Sequence, residues 1–383
     1  MRYDQTRKWN EEHSINVVDK DAKMITESKN SDSMSNKSFL DKWKLEIAVF
    51  GIILVSIIVL TVLFPINLQT ASNVKSNLPN MGKAPELSGI KGWINTEPFN
   101  LSDLHGKVVL IDFWTYSCIN CIRTLPYQKD WYDKYHDKGF VIVGVHTPEF
   151  EFEKDYGNVK MAVEKYGIKY PVVLDNEYGT WLAFKNNYWP REYLIDANGV
   201  IRHDHIGEGG YDETEKAIQD LLKENNADIH VNMSNITSDT IFSLIGTPEL
   251  YLGYERGRLG NSEGYYPQNV VDYKTAKTDN INIVYLSGKW LNQQDKLVAS
   301  GNSKVFLLYK AKDVNIVAGG KSTIRILLDN SSLTREFYGN DGNETVNINE
   351  QRLYNVVSAP DYSIHLLEID ASEGFELYTF TFG

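Results

Sequence analysis

Two cysteines occur in the 383 residues of this chain, Cys118 and Cys121, and they stand side by side in the stretch WTYSCINC that ends at Cys121. Four chemistries use such a pair: a structural disulfide, half of a metal site, a haem attachment or a redox couple. A c-type haem site requires histidine directly after the second cysteine, and Ile122 stands there. A structural zinc site needs two further ligands at similar close spacing. His203 and His205 form such a pair, but they fall on an expected strand. A disulfide closing so short a loop restricts the unfolded chain little.

The redox reading gains from the elements around the pair. Lys107–Trp114 (KVVLIDFW) is a continuous apolar run of the kind found in strands buried on both faces. After a short turn carrying Cys118, helical spacing follows from Cys121 to Gly139. Cys118 therefore falls at a helix N-terminus, where unpaired N–H groups and the dipole favour a thiolate. The thiolate is the nucleophile in disulfide exchange, and Cys121, one turn on, is placed to resolve the mixed disulfide. A peroxidatic cysteine is a rival, since Thr115 lies three residues before Cys118 as in peroxiredoxins. Their motif also has proline four residues before that threonine, and Ile111 stands here.

Beyond this unit, the balance of the chain is acidic, with a formal net charge of -12. No basic field exists to neutralise phosphates, so a nucleic-acid partner is not expected. Residues 1–46 are polar and charged and read as a disordered cytoplasmic tail. The apolar run Ile47–Phe64 would span about 27 Å as a helix, close to a bilayer core. It starts too late for a signal peptide, so residues 47–67 are expected to be an uncleaved transmembrane anchor. Lys37, Lys42 and Lys44 precede it and only Lys75 follows soon after. The N-terminus should then be cytoplasmic and the rest extracytoplasmic, where disulfides persist. Residues 68–85 read as a polar tether.

Residues 86–224 alternate strands and helices in an α/β sandwich. REYLIDANGVIRHDHIG is expected to be a hairpin turning at Asn198-Gly199. The last helix has Asp212 as its expected N-cap, with Glu215 three residues on. Residues 225–245 are a linker, and residues 246–383 carry short alternating strands separated by Gly, Asn and Asp. That spacing suggests an all-β sandwich, jelly-roll-like.

VVLIDFWTYSCINC looks like the thioredoxin active-site strand and loop. The wider stretch through NNYWPREYLIDANGVIRHDHIGEGGY resembles the thioredoxin-like domain of DipZ-type thiol–disulfide proteins, of the TlpA/ResA branch. The tail TPELYLGYERG to ELYTFTFG resembles the β-rich, carbohydrate-module-like domain that follows it in those proteins. The resemblance implies a membrane-anchored thiol–disulfide oxidoreductase acting on protein thiols and disulfides, with reduction as the favoured direction. It needs no cofactor besides the redox-active Cys118–Cys121 disulfide, and no metal. Cys118 would attack, Cys121 would resolve, and Asp112 would manage the proton. A buried carboxyl there should have a raised pKa and exchange a proton with Cys121. Pro190 would be the cis-proline facing the disulfide, and Trp189 would line the groove. Trp114, Tyr116 and Glu149 are further substrate-site candidates.

Two departures stand out. DipZ proteins carry a polytopic CcdA-like part, whereas one span is expected here, so electrons would come from a separate CcdA/DsbD-like membrane donor. ResA-type relatives place Glu three residues after the second cysteine, where Thr124 stands. The remaining alternatives are a thiol peroxidase and a protein- or cell-wall-glycan-binding module served by the thioredoxin-like unit. Trp290, Tyr265 and Tyr266 are the candidate sugar platforms. The acidic turns of residues 329–344 are a candidate calcium loop.

Overall fold

A computed structural model describes Gly51, Ile53, Ser56, residues 75–225, 228–237, 240–274 and 278–383. The expected tail of residues 1–46 lies outside the described residues. So does the expected anchor of residues 47–67, apart from the helical Gly51, Ile53 and Ser56. Among the described residues no helix is long and apolar enough to cross a membrane.

The first part of the unit from residue 75 onward holds six strands and four α-helices. They are β1 (Trp93–Ile94), β2 (Val108–Trp114), α1 (Ile119–Tyr135), β3 (Phe140–His146), α2 (Tyr156–Tyr166), β4 (Val172–Leu174), α3 (Gly179–Ala183), β5 (Arg191–Ile195), β6 (Ile201–Ile206) and α4 (Tyr211–Glu224). The strands order as β1-β4-β3-β2-β5-β6. Strands β2, β3 and β4 pair in parallel, while β5 and β6 continue the sheet antiparallel.

Strand β2 is buried along its whole length, and its period of two assigns its side chains to two cores. Val109, Ile111 and Phe113 join Trp181, Phe184 and Tyr193 on one face. Val108, Leu110 and Trp114 join Leu125, Trp131 and the α4 residues Ile218 and Leu222 on the other, together with Cys121. Asp112 shares the parity of Leu110 and Trp114, so it lies on the face that α1 covers. That alternation alone puts the carboxyl and the second cysteine in one layer.

Two expectations need correction. Asp212 is not the N-cap of α4; Gly210, with φ 59°, holds that position. Glu215 points inward instead, accepting from Tyr135 Oη at 2.6 Å and from the Ser234 amide at 2.7 Å. The tether is also docked from Ser76 onward, where Ser76 donates to Glu224. Arg202 of β6 donates to the carbonyls of Leu78 and Pro79, and Ile201 exchanges backbone hydrogen bonds with Met81 and Gly82. An arginine on an edge strand thus converts a Pro/Gly-marked linker into an added edge.

The rest of the chain is a curled antiparallel sheet. Its strands are β7 (Leu250–Tyr251), β8 (Val270–Tyr273), β9 (Val284–Asn292), β10 (Leu297–Ala299), β11 (Ser303–Lys310), β12 (Asp313–Gly319), β13 (Ser322–Leu328), β14 (Ser331–Ser332), β15 (Thr345–Ile348), β16 (Arg352–Ser358), β17 (Ile364–Ala371) and β18 (Glu376–Phe382). The expected sandwich of separate sheets is one hydrogen-bonded path, because β9 belongs to both halves. Its first half pairs with β11 and its second with β8 and β10. The change falls at Gly288, whose φ of 80° bends the strand. A Cβ there would sit 2.8 Å from the Asn302 carbonyl oxygen, so glycine is required. The two halves close over one core that includes Trp290, Tyr309 and Phe375.

Candidate active site

Cys118 caps α1 from the extended conformation, and its sulfur accepts the Cys121 amide at 3.3 Å. The two cysteines are unbridged, Cys118 partly exposed and Cys121 fully buried. This is the disposition an attacking and a resolving sulfur require. The helix-end hydrogen bonding does not, however, leave a depressed thiol pKa. The Cys121 contact lowers the Cys118 pKa most, but burial and the nearby Glu149 and Glu249 carboxylates outweigh it, and the net shift is upward. Burial pushes the Cys121 thiol up much further, and Asp112 adds to it.

Asp112 lies fully buried with neither carboxyl oxygen hydrogen-bonded. Burial, and then the Glu192 carboxylate, push its pKa well above the ordinary range. The register explains the pairing, since Asp112 stands directly opposite Glu192 in the antiparallel β2–β5 ladder. Glu192 accepts from the Gln128 amide at 2.8 Å, and Tyr170 Oη donates to the same Gln128 at 3.1 Å. Two carboxyls side by side in a dry core cannot both ionise at ordinary pH. The upward push is the larger at Asp112, so a carboxylate formed there is a strong base. Sequence reasoning missed Glu192, because only the strand register brings it beside Asp112.

Thr124, where ResA-type relatives have Glu, is buried and donates to the Cys121 carbonyl at 2.8 Å. It satisfies the helix backbone and, unlike a glutamate, has no acidic proton to exchange with the cysteines. Thr115 is buried with its hydroxyl 3.3 Å from His146 Nε2. Burial lowers the His146 pKa to about 3, so this ring is neutral.

The Trp189–Pro190 peptide bond is cis. Trp189 lines the same cavity as Cys118, with its indole N–H donating to the Thr147 carbonyl at 3.1 Å. Trp114 and Tyr116, expected near substrate, are placed otherwise. Trp114 is fully buried, edge-on to His146, and offers no groove surface. Tyr116 is also buried, stacked on His146, and its hydroxyl donates across to the Gln351 carbonyl of the β-rich part. Both aromatics serve packing, Trp114 in the core between sheet and helices and Tyr116 against the β-rich part.

The cover over this site is the feature least visible in the sequence. A cavity of about 770 Å³ opens at Cys118, and its far wall comes from residues of the second half, including Thr247, Glu249, Tyr251, Arg256 and Phe382. Glu149 is held in it by Tyr251 Oη at 2.7 Å and by Arg256 at 2.9 Å. Its backbone is set by Glu153, a buried carboxylate that accepts from the amides of Glu149 and Phe150 and from Ser117 Oγ at 2.5 Å. Arg123, on the turn of α1 after Cys121, reaches the Phe382 carbonyl. The rings of Phe150 and Phe152 pack against Tyr378. The two parts therefore share one apolar cluster as well as a cleft.

The candidate sugar platforms fare unevenly. Trp290 is fully buried and unavailable to a ligand, and Tyr265 is tied to the Leu252 carbonyl, while Tyr266 is exposed. In the acidic turns Asp341 is taken up by Arg352 and the Asn355 amide, and Asp329 by His365 and the Leu366 amide. Among the described residues no group of three His, Cys, Asp or Glu is placed to hold a metal ion.

Comparison with known proteins places this geometry. A family described as Redoxin matches residues 82–222, and one described as Thioredoxin like C-terminal domain matches residues 247–383. Protein DipZ of Mycobacterium tuberculosis is 38% identical over 82% of this chain. Thiol-disulfide oxidoreductase YkuV of Bacillus subtilis is 34% identical, over 37% of this chain and 94% of YkuV. The chain belongs to the DipZ/TlpA-like family of thioredoxin-like oxidoreductases. This DipZ/TlpA-like chain covers 45% of the length of the mycobacterial DipZ protein. A solved structure of a thioredoxin-like protein in the oxidised form is 34% identical, covering 39% of this chain and 99% of that one at a TM-score of 0.35.

Proposed function

We propose that the chain exchanges disulfides with protein substrates through Cys118 and Cys121, acting as a reductase. The Cys118 thiolate attacks one sulfur of a substrate disulfide and releases the other as a thiolate. Cys121 then attacks Cys118, closing the Cys118–Cys121 disulfide and releasing the second substrate thiolate. Two electrons pass from the pair to the substrate. Asp112 holds or accepts the Cys121 proton as that buried sulfur becomes a nucleophile. The cis Trp189–Pro190 segment forms the neighbouring wall. The observation that carries the reading is the cap position of Cys118 at an open cavity with Cys121 buried one turn behind.

The direction is supported by the net upward shift of Cys118. Strong oxidants of this kind owe their potential to a stabilised thiolate in the reduced form, and carboxylates around Cys118 work against one. Insulin-disulfide reduction tests the assignment: Cys118→Ser should abolish it, and Cys121→Ser should accumulate mixed disulfides. Full activity in the Cys118 variant would overturn it. A measured potential near that of strong oxidants would reverse the direction.

The apolar run at residues 47–67 supports placement at a cell membrane, with the N-terminus cytoplasmic and both later modules outside. Renewed electrons would then come from a separate CcdA/DsbD-like membrane protein. Protease shaving of intact cells should remove residues 86–383 and spare the tail. Nothing in the placement of Trp290 or Tyr265 favours the glycan reading over this one.

A further inference from the structure

The cavity at Cys118 is walled by both modules and holds more carboxyl groups than cations. Glu149, Glu208 and Glu249 line it, against Arg123 and Arg256. Both arginines are already engaged, Arg256 with Glu149 and Arg123 with the Phe382 carbonyl and, at 3.5 Å, with Glu208 Oε1. Glu208 Oε2 is left buried without any hydrogen-bond partner, on a side chain only 8% exposed. An unpaired buried carboxylate oxygen is costly unless a donor reaches it. Its location is specific, because the neighbouring Gly207 amide donates to the Pro190 carbonyl at 2.9 Å. The orphan oxygen thus sits beside the cis-proline segment, where a substrate backbone would pass. Glu249 faces the same space from the second module, with part of its surface open to the cavity.

We infer that this two-module cleft selects disulfide-bearing polypeptide segments that carry a lysine or arginine close to the reacting cysteine, the cation pairing with Glu208 and Glu249. The inference rests on the oxidoreductase reading above and adds its substrate class. The arrangement also links recognition to reactivity. Glu249 is among the charges that disfavour the Cys118 thiolate, so a substrate cation that neutralises it would activate the sulfur as it binds. A small thiol reagent lacking the cation would meet the sulfur without that help. The second module is then part of the active site, since it supplies one of the two selecting carboxylates.

The test is single-turnover reduction at pH 8, by the pre-reduced chain, of two disulfide-bridged peptides that differ only in lysine or glutamate beside one cysteine. At that pH Glu208 and Glu249, each pushed up to about 7 by burial, are ionised. The lysine peptide should react faster by about tenfold at low salt, the discrimination expected of a charge-assisted contact. The ratio should narrow as salt is raised. Glu249→Gln, at a position open to the cavity, should reduce it several-fold. Glu249→Gln combined with Glu208→Gln should bring it close to one. Equal rates for the two peptides, or a ratio that survives the double substitution, would overturn the inference while leaving the oxidoreductase reading intact. Failure to reduce either peptide would overturn both.

Discussion

Replacing Glu208 by glutamine isolates one buried charge whose energetic effect can be worked from the structure. The pKa of Glu208 is pushed from 4.5 to about 7, by burial first, against the opposing Arg123 guanidinium. The folded chain therefore keeps this proton up to about pH 7, whereas the unfolded chain releases it near pH 4.5. Between those values the folded state binds more protons, so stability falls as pH rises and levels off above pH 7. At about 1.4 kcal/mol per pH unit, the gap corresponds to about 3 kcal/mol. The side chain is only 8% exposed, so solvent screening does not call for the discount applied to surface pairs. Glutamine has the same shape and never ionises. Relative to the native chain, Glu208→Gln should gain about 3 kcal/mol between pH 4.5 and pH 8, and little below pH 4.5. Urea unfolding across that range, followed by tryptophan fluorescence and circular dichroism, measures the difference. Asp112, Glu153, Glu192 and Glu249 titrate in both proteins and largely cancel. A difference that stays flat with pH, or a native chain that gains stability above pH 5, would refute the reasoning. It would mean that Arg123 holds the carboxylate ionised despite its burial.

Other substitutions probe the remaining parts of the site and its support. Asp112→Asn should slow the resolving step about 100-fold, the scale of a lost acid–base group, seen as a longer-lived mixed disulfide with substrate. Unchanged decay would exclude a proton role. Glu153→Gln removes one acceptor from the group that orders Ser117, Glu149 and Phe150. It should cost about 2 kcal/mol in urea unfolding, and a neutral result would show that water replaces the bond. Gly288→Ala puts a Cβ at positive φ and 2.8 Å from a carbonyl oxygen. A loss of about 2 kcal/mol is expected, and none would mean that β9 bends elsewhere.

How much was legible depended on whether the information was local. The strand–cysteine–helix order around Cys118 follows from hydrophobic period and chain spacing, and the structure places the residues accordingly. The hairpin around Asn198-Gly199 was legible for the same reason, since its turn is local: Asp196 accepts from the Asn198 and Val200 amides and Gly199 takes a φ of 77°. Asp212 was misread because Ser, Thr, Asn and Asp are only statistical caps, and a glycine at positive φ took the position. Trp114, Tyr116 and Trp290 are buried, and the sequence left packing and ligand contact both open for them because aromatic side chains look alike whether they face a ligand or a core. Their burial is a matter of what lies above them.

The sequence by itself determined the layout on which the proposed exchange rests: two cysteines one helical turn apart after a buried strand, and a lone carboxyl interrupting that strand. Those features depend on neighbours within a few residues, which the chain cannot separate. Tertiary structure alone decided the environment of that chemistry. It set Glu192 opposite Asp112 through strand register, and it curled the sheet of residues 246–383 at Gly288. It also brought Glu249, Tyr251 and Arg256 over a cysteine more than a hundred residues away. Desolvation and charge act through space, so the pKa values that govern the exchange follow from that packing.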